Sequence, residues 1–259
     1  MSHSPRKALK EKILEYSKEL RLPMIRKHLD EQVQEATQRD ASYEDFLAQL
    51  LEKECDARRE ASRYNRIRLA EFTHKKYLED LVIGDLPEDA QKKLKLLKTL
   101  DFIREGRNVI LAGNPGTGKT HVSIGLGLKA CLEGYKVWFT TVPLLVNRIK
   151  ECRVEQTLRA FQNRFEKYDL VIADEMGYIS FDKEGSELLF THLSLRAGRK
   201  STIITTNLSF ERWGEIFQDP VMTAAMIDRL THQSYIVNMN GNSYRMKETK
   251  EWLQKQQLA

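Results

Sequence analysis

Residues 108–121 read NVILAGNPGTGKTH, and this stretch decides the fold. Gly113, Asn114, Pro115, Gly116, Thr117, Gly118, Lys119 and Thr120 match G-x-x-x-x-G-K-[ST] in full. A β-type run precedes the loop and a helical run follows it, the context such a loop needs. Glycines let backbone N–H groups turn inward on phosphates, and the helix N-terminus adds the positive end of its dipole. Lys119 is placed to reach the β- and γ-phosphates, and the Thr120 hydroxyl to ligate Mg²⁺. The loop and the following His121 are therefore candidate nucleotide contacts. What the nucleotide is for stays open at this point: phosphoryl transfer to a metabolite, or switching of a protein assembly.

Outward from the loop, YDLVIADEMGY supplies a second half-site. Four apolar residues, Leu170 to Ala173, lead into Asp174 and Glu175. Asp174 would hold magnesium through water, and Glu175 could orient and deprotonate an attacking water. An acid next to the metal carboxylate favours an NTP hydrolase over a kinase, which must exclude water. In STIITTNLSF, Asn207 follows a strand and could hydrogen-bond the water or the γ-phosphate. Asn after a strand also commonly makes a turn.

These motifs lie on five short β-type runs: NVILAG, KVWFTT, LVIAD, STIITT and SYIVNM. Helical segments separate them, which predicts a five-stranded parallel α/β sheet covered on both faces. Residues 1–75 read differently, as a small all-helical N-terminal domain, with the sheet domain over 76–259. Leu9, Ile13, Tyr16 and Leu20 fall on one helical face. Pro23 suits the first turn of a second helix carrying Ile25, Leu29 and Val33. Ser42, with Asp45 three residues on, begins a third whose face carries Phe46, Leu47, Leu50 and Leu51.

Hydrophobic residues make up 41% and charged residues 31%, a globular balance. No apolar run is long enough to span a bilayer, and MSHSPRKALKEK has no apolar core behind its basic residues, so a cytoplasmic protein without membrane partners is expected. Cys55, Cys131 and Cys152 are isolated, without metal-ligand spacing, and read as small buried residues. The net charge of +5 is weak support for a polyanionic partner unless its distribution is concentrated.

Lys119-Thr120, Asp174-Glu175 and Asn207 together resemble the Walker A, Walker B and sensor 1 elements of AAA+ ATPases. YDLVIADEMGYISFDKEGSELLFTHLSLR, STIITTNLSFERWGEIFQD and AAMIDRLTHQSYIVNMNGNSYRMK are similar to the IstB transposition helpers of insertion sequences, within the IstB/DnaC branch. LRLPMIRKHLDE and SYEDFLAQLLEKECDARR resemble that family's helical domain, so the likeness runs over nearly the whole chain. Small departures occur at Ala173, Met176 and Thr73, none in the chemistry. The resemblance implies an AAA+ P-loop NTPase using ATP and Mg²⁺. It implies a homo-oligomer with ATP sites at subunit interfaces, and a separate transposase. It singles out Arg229 as an arginine finger reaching a neighbouring subunit's nucleotide, with Arg196 in reserve. Only about twenty residues follow the last strand, too few for the helical C-terminal lid of many AAA+ proteins, so cover by the next subunit is expected.

Two basic segments point to DNA. Arg59, Arg63 and Arg66 form one helical stripe within a stretch, Arg58 to Lys76, holding seven Lys/Arg against two Glu. Arg148, Lys150, Arg153, Arg159 and Arg164 punctuate a helix pair ahead of the Asp174 strand, where initiator-type AAA+ proteins carry a DNA-gripping insertion. Such residues would touch phosphates and bind duplex DNA largely without sequence preference. The reading is a DNA-dependent ATPase that multimerises on duplex DNA and assists a transposase in target selection. A replicative helicase loader is the alternative, and a clamp with negligible turnover or a metabolite kinase fit less well.

Overall fold

All five expected strands form one parallel sheet in the computed structural model, which describes residues 5–257. Three helices come first: α1 (Pro5–Glu19), α2 (Pro23–Gln38) and α3 (Tyr43–Leu69). Two helical turns at 78–80 and 83–85 lead to α4 (Glu88–Leu97) and the short α5 (Asp101–Arg104). Then follow β1 (Val109–Ala112), α6 (Lys119–Leu132), β2 (Val137–Thr141), α7 (Val142–Val154), α8 (Leu158–Phe165) and β3 (Leu170–Met176). The chain continues through α9 (Lys183–Arg196), β4 (Ser201–Thr206), α10 (Gly214–Phe217), α11 (Pro220–Thr231), β5 (Tyr235–Asn238) and α12 (Tyr244–Gln257).

Strand order is β2-β3-β4-β1-β5. The alternation of side chains along each strand divides the core in two. Val109, Leu111, Phe139, Ile172, Ile203 and Val237 face α6 and α4 on one side. Ile110, Trp138, Val171, Ala173 and Ile204 face α7, α8, α9 and α11 on the other. The central strands are buried on both faces, so they read as unbroken apolar runs rather than as alternation. Parallel connection places the C-terminal ends of β1, β3 and β4 side by side, where ligands bind in open α/β sheets.

Both sheet edges are occupied. Phe139 on β2 donates its N–H to the Ala70 carbonyl at 2.8 Å. On β5, the Ile236 carbonyl accepts from Lys93 Nζ at 2.6 Å and the Asn238 N–H donates to Asp89 Oδ2 at 2.8 Å.

The chain divides into two compact units, 1–65 and 66–259, earlier than the boundary expected after 75. The reason is local: Ala70 bonds to β2, and Phe72 packs against Phe139 with ring centroids 6.1 Å apart. In the first unit Ile25, Leu29 and Leu50 form a small core joined by Ile13, Leu14, Leu22, Val33 and Phe46. Of the face expected on α1, only Ile13 packs there, while Leu9, Tyr16 and Leu20 are exposed, as are Leu47 and Leu51 on α3. Ser42 does start α3, its Oγ accepting from the Asp45 N–H at 3.1 Å. Buried Glu54 accepts from the N–H groups of Met24 and Ile25 at 2.8 and 3.4 Å, satisfying orphan donors at the start of α2. Of the cysteines, Cys131 is buried and its thiol is pushed up to about 12 by burial, Cys152 is half-buried, and Cys55 is exposed, against expectation. No helix among the described residues is long and apolar enough to cross a membrane.

Candidate nucleotide site

The glycine loop links β1 to α6, and α6 begins at Lys119, directly behind Gly118. Gly116 has φ +80°, and a Cβ there would sit 2.2 Å from Ser243 Oγ, so a larger residue is excluded twice over. A Cβ on Gly113 would come within 2.2 Å of the Met239 backbone. The Lys119 ammonium is folded back onto the loop, donating to the Gly113 and Asn114 carbonyls at 2.7 and 2.6 Å. Burial pushes its pKa down to about 8, with Asp174 opposing that shift and Arg245 adding to it.

Across the strand ends, the Thr120 hydroxyl lies 3.2 and 3.1 Å from Asp174 Oδ1 and Oδ2. Asp174 is 3% exposed and also accepts from the Thr205 hydroxyl. Glu175 follows in left-handed backbone, φ +65°, a conformation costing a non-glycine residue about 1–2 kcal/mol. Its N–H donates to Thr205 Oγ1 at 3.0 Å. Burial, then the neighbouring Asp174, raises the Glu175 carboxyl above the ordinary glutamate range, with Arg245 opposing. Such a shift suits a group that must take up a proton.

Lys119, Thr120, Glu175 and Thr205 border a cavity of about 490 Å³. The loop from Pro115 to His121 forms its floor, with Glu175, Thr205 and Thr206 at the strand ends. The segment ahead of α4 forms one wall through Lys76, Asp80, Leu81, Val82, Asp85 and Leu86. His121 joins floor to wall, its Nε2–H donating to the Tyr77 carbonyl at 2.8 Å. Asn207 stands beside this cavity rather than in its lining. Its Oδ1 is buried without a hydrogen-bond partner, which a donor such as a bound water would satisfy.

The opposite wall was not legible as a site in the sequence. Tyr244, Arg245 and Glu248, all on α12, line the cavity, and the Tyr244 N–H donates to the Gly116 carbonyl at 2.9 Å. Asn240 Oδ1 accepts from the Asn114 N–H at 3.2 Å. A single helix thus follows β5 among the described residues, and its first turn covers part of the cavity from within the same chain. The SYRMK segment carried this signal, but no spacing rule assigns it a role.

Arg229 lies away from the cavity. It is exposed on α11, with its guanidinium 5.2 Å from the centre of the Phe190 ring. Arg196 is excluded as a finger. It is 1% exposed, and its guanidinium donates to the carbonyls of Phe165, Tyr168 and Ser201 at 2.7, 3.0 and 2.9 Å. It ties α9 to the start of β4 and cannot leave without orphaning three buried acceptors.

The basic residues divide similarly. In the second unit Arg66 is half-buried and donates to the Cys131 carbonyl at 2.7 Å, a structural contact. Arg148 pairs with Glu71 at 3.2 Å and stacks over Trp138, while Lys150 pairs with Asp182 and Arg153 with Glu184. Those three bridges leave the cations partly solvated, so each pair is weak and screened by salt. Arg159 and Arg164 are exposed on α8. In the first unit Arg63 is exposed and Arg59 pairs with Asp56 at 2.9 Å.

A family model described as IstB-like ATP binding protein matches residues 15–252. A protein of insertion sequence IS5376 from Geobacillus stearothermophilus, named for ATP binding, is 35% identical over 248 residues, covering 96% of this chain and 99% of that one. Among solved structures, replication initiator DnaA bound to AMPPCP and single-stranded DNA superimposes with a TM-score of 0.57 at 19% identity, over 71% of this chain and 56% of that one. DnaI superimposes with a TM-score of 0.54 at 19% identity, over 64% and 91%. The fold is that of the AAA+ P-loop ATPases, preceded by a helical N-terminal region.

Proposed function

The chain belongs to the IstB-like ATP-binding protein family, and from that premise we propose that it is an ATPase of an insertion sequence. In this reading it multimerises on duplex DNA with ATP and assists a separate transposase in choosing a target. The observation that carries it is the grouping of Thr120, Asp174 and Glu175 at the mouth of the glycine loop, with an unpartnered Asn207 beside them. A second carboxylate beside Asp174 at the cavity supports hydrolysis over storage of nucleotide.

The donors fit magnesium: the Thr120 hydroxyl would hold it directly and the Asp174 carboxylate through water, both hard oxygen groups. When bound, the ion would supply charge neutralisation at the phosphates. Lys119 leaves the loop carbonyls for the phosphate oxygens. The Glu175 carboxylate accepts a proton from the attacking water, and the Asn207 side chain helps hold that water in line. Arg245 adds positive charge from the same chain, and Arg229 from a neighbouring one. Exposed Arg159, Arg164 and Arg63, with the weakly paired Arg148, Lys150 and Arg153, serve as phosphate contacts on DNA, so assembly weakens steeply with salt.

A helicase loader is the second reading, since the same ATPase core would serve it. Electron microscopy on duplex and single-stranded DNA, with ATP, ADP or no nucleotide, separates the two. Long ATP-dependent assemblies on duplex are expected. Assemblies confined to single strands, or none until a helicase is added, would transfer the assignment to the loader.

A further inference from the structure

We propose that Thr205 is the positioning residue that aims the Asp174–Glu175 pair, a role that rests on the hydrolytic reading above. On β3 and β4 the pairing runs Ala173 to Ile204 and then Met176 to Thr206. Two residues of β3, Asp174 and Glu175, therefore stand opposite one residue of β4, Thr205. That is a β-bulge, a device that re-aims side chains beside functional sites. Here the re-aimed residue is Glu175, whose backbone sits in the left-handed region at φ +65°.

The Thr205 hydroxyl is what fills the bulge. Its single proton goes to Asp174 Oδ1, and its oxygen accepts the Glu175 N–H at 3.0 Å. The side chain is 2% exposed, so no solvent competes for either bond. One hydroxyl thus fixes a carboxylate beside Thr120 and the backbone of the next acid at the cavity. Without it the Glu175 N–H loses its partner. The bulge can then relax toward regular pairing, and a one-residue slip in a strand sends a side chain to the opposite face of the sheet. Neither bond is made to the backbone that cradles the phosphates, so loss of the hydroxyl weakens magnesium-free nucleotide binding far less than the response to magnesium.

Thr205→Val keeps the shape and removes the hydroxyl, and Thr205→Ser keeps the hydroxyl. Three measurements test the role: steady-state hydrolysis of ATP, titration of a fluorescent ATP analogue with and without magnesium, and a crystal structure of Thr205→Val. In Thr205→Val, kcat falls about tenfold or more, and KM for the magnesium complex rises by a smaller factor. The magnesium-free affinity changes by less than about threefold, the tightening by magnesium shrinks, and Glu175 leaves positive φ. Thr205→Ser restores all three. Wild-type kcat and an unchanged magnesium response in folded Thr205→Val would overturn the proposal. So would equal loss in the valine and serine variants with nucleotide affinity gone, the pattern of a merely structural residue. If the valine variant does not fold, Thr205→Cys, whose thiol is a weak donor, takes its place with the same expectations. A wild-type protein that never hydrolyses ATP, with or without DNA, would refute the hydrolytic reading instead, while the magnesium titration and the backbone of Glu175 still decide whether Thr205 holds the pair.

Discussion

Thr120 and Asp174, from the start of α6 and the end of β3, meet hydroxyl to carboxylate at 3.1 and 3.2 Å. The contact closes the phosphate loop onto the strand that carries the acids. Everything that distinguishes this site from a bare glycine loop lies within a few residues of it: Glu175 on one side, Thr205 behind, Asn207 beyond, and Arg245 across the cavity.

Lys119 reports nucleotide binding through protons. Burial holds it at about 8, and phosphate oxygens favour its charged form. Nucleotide binding near pH 8–9 therefore takes up protons, and affinity declines as pH climbs past about 8. Calorimetry in two buffers of different ionisation enthalpy measures the uptake. Lys119→Ala abolishes it together with ATP binding and ATP-dependent assembly on DNA; retained affinity in that variant would contradict the role of the lysine.

Glu175 sets the acid limb of turnover. Its carboxyl is raised by burial and by Asp174, so hydrolysis falls away, as pH drops, at a higher pH than an ordinary glutamate would give. For stability the sign is opposite. A raised folded pKa means the folded state binds more protons between the unfolded and folded values, so this group's contribution declines as pH rises through that interval. Glu175→Gln binds ATP, loses the limb and turns over about 100-fold or more slowly, leaving a persistent ATP-bound complex on DNA. Rapid ADP release from that variant would count against the assignment.

Arg245 and Arg229 separate cover within one chain from cover by a neighbour. Arg245 lines the cavity and acts on both Lys119 and Glu175, whereas Arg229 lies away on α11. Arg245→Ala weakens nucleotide binding about tenfold in dilute, unassembled protein, the size of one partly exposed charge-assisted contact. Arg229→Ala leaves that binding unchanged and lowers turnover only in assemblies. Fluorescent-nucleotide titration and hydrolysis assays across protein concentration distinguish the two, and full activity of Arg229→Ala in assemblies removes it from the site.

Arg196 is a stability residue. Arg196→Met removes the donor from three buried carbonyls and destabilises the protein by about 3 kcal/mol or more. Urea or thermal unfolding measures the loss. A variant of wild-type stability with lost turnover would restore it as a finger.

The parallel sheet and the loop were legible because their signals are local. Each strand is a short apolar run, and Gly113 to Thr120 is contiguous. Asp174-Glu175 was readable for the same reason. Arg196 was not, because its three acceptors come from α8, the turn at Tyr168 and β4, and nothing in one sequence shows that they converge. Arg245 was hidden likewise: its importance comes from the Tyr244–Gly116 bond that brings α12 onto the loop. Thr205 read as one more β-branched strand residue, since the bulge it fills exists only in the pairing of two strands. On α1, the same helical period fits two adjacent faces, and only packing in the first unit selects Ile13 and Leu14 over Leu9 and Tyr16.

The bonds at Ala70, Lys93 and Asp89 have a consequence for how copies of the chain come together. An open parallel sheet offers each outer strand as a template for another molecule's backbone. Here Ala70 answers the outer N–H of Phe139, and Lys93 and Asp89 answer Ile236 and Asn238. Growth by strand annexation, the route to irreversible fibres, is closed at those positions. In the proposed assembly, contacts between copies would fall to side chains on helices and loops, and contacts of that kind can be released when a nucleotide between them changes.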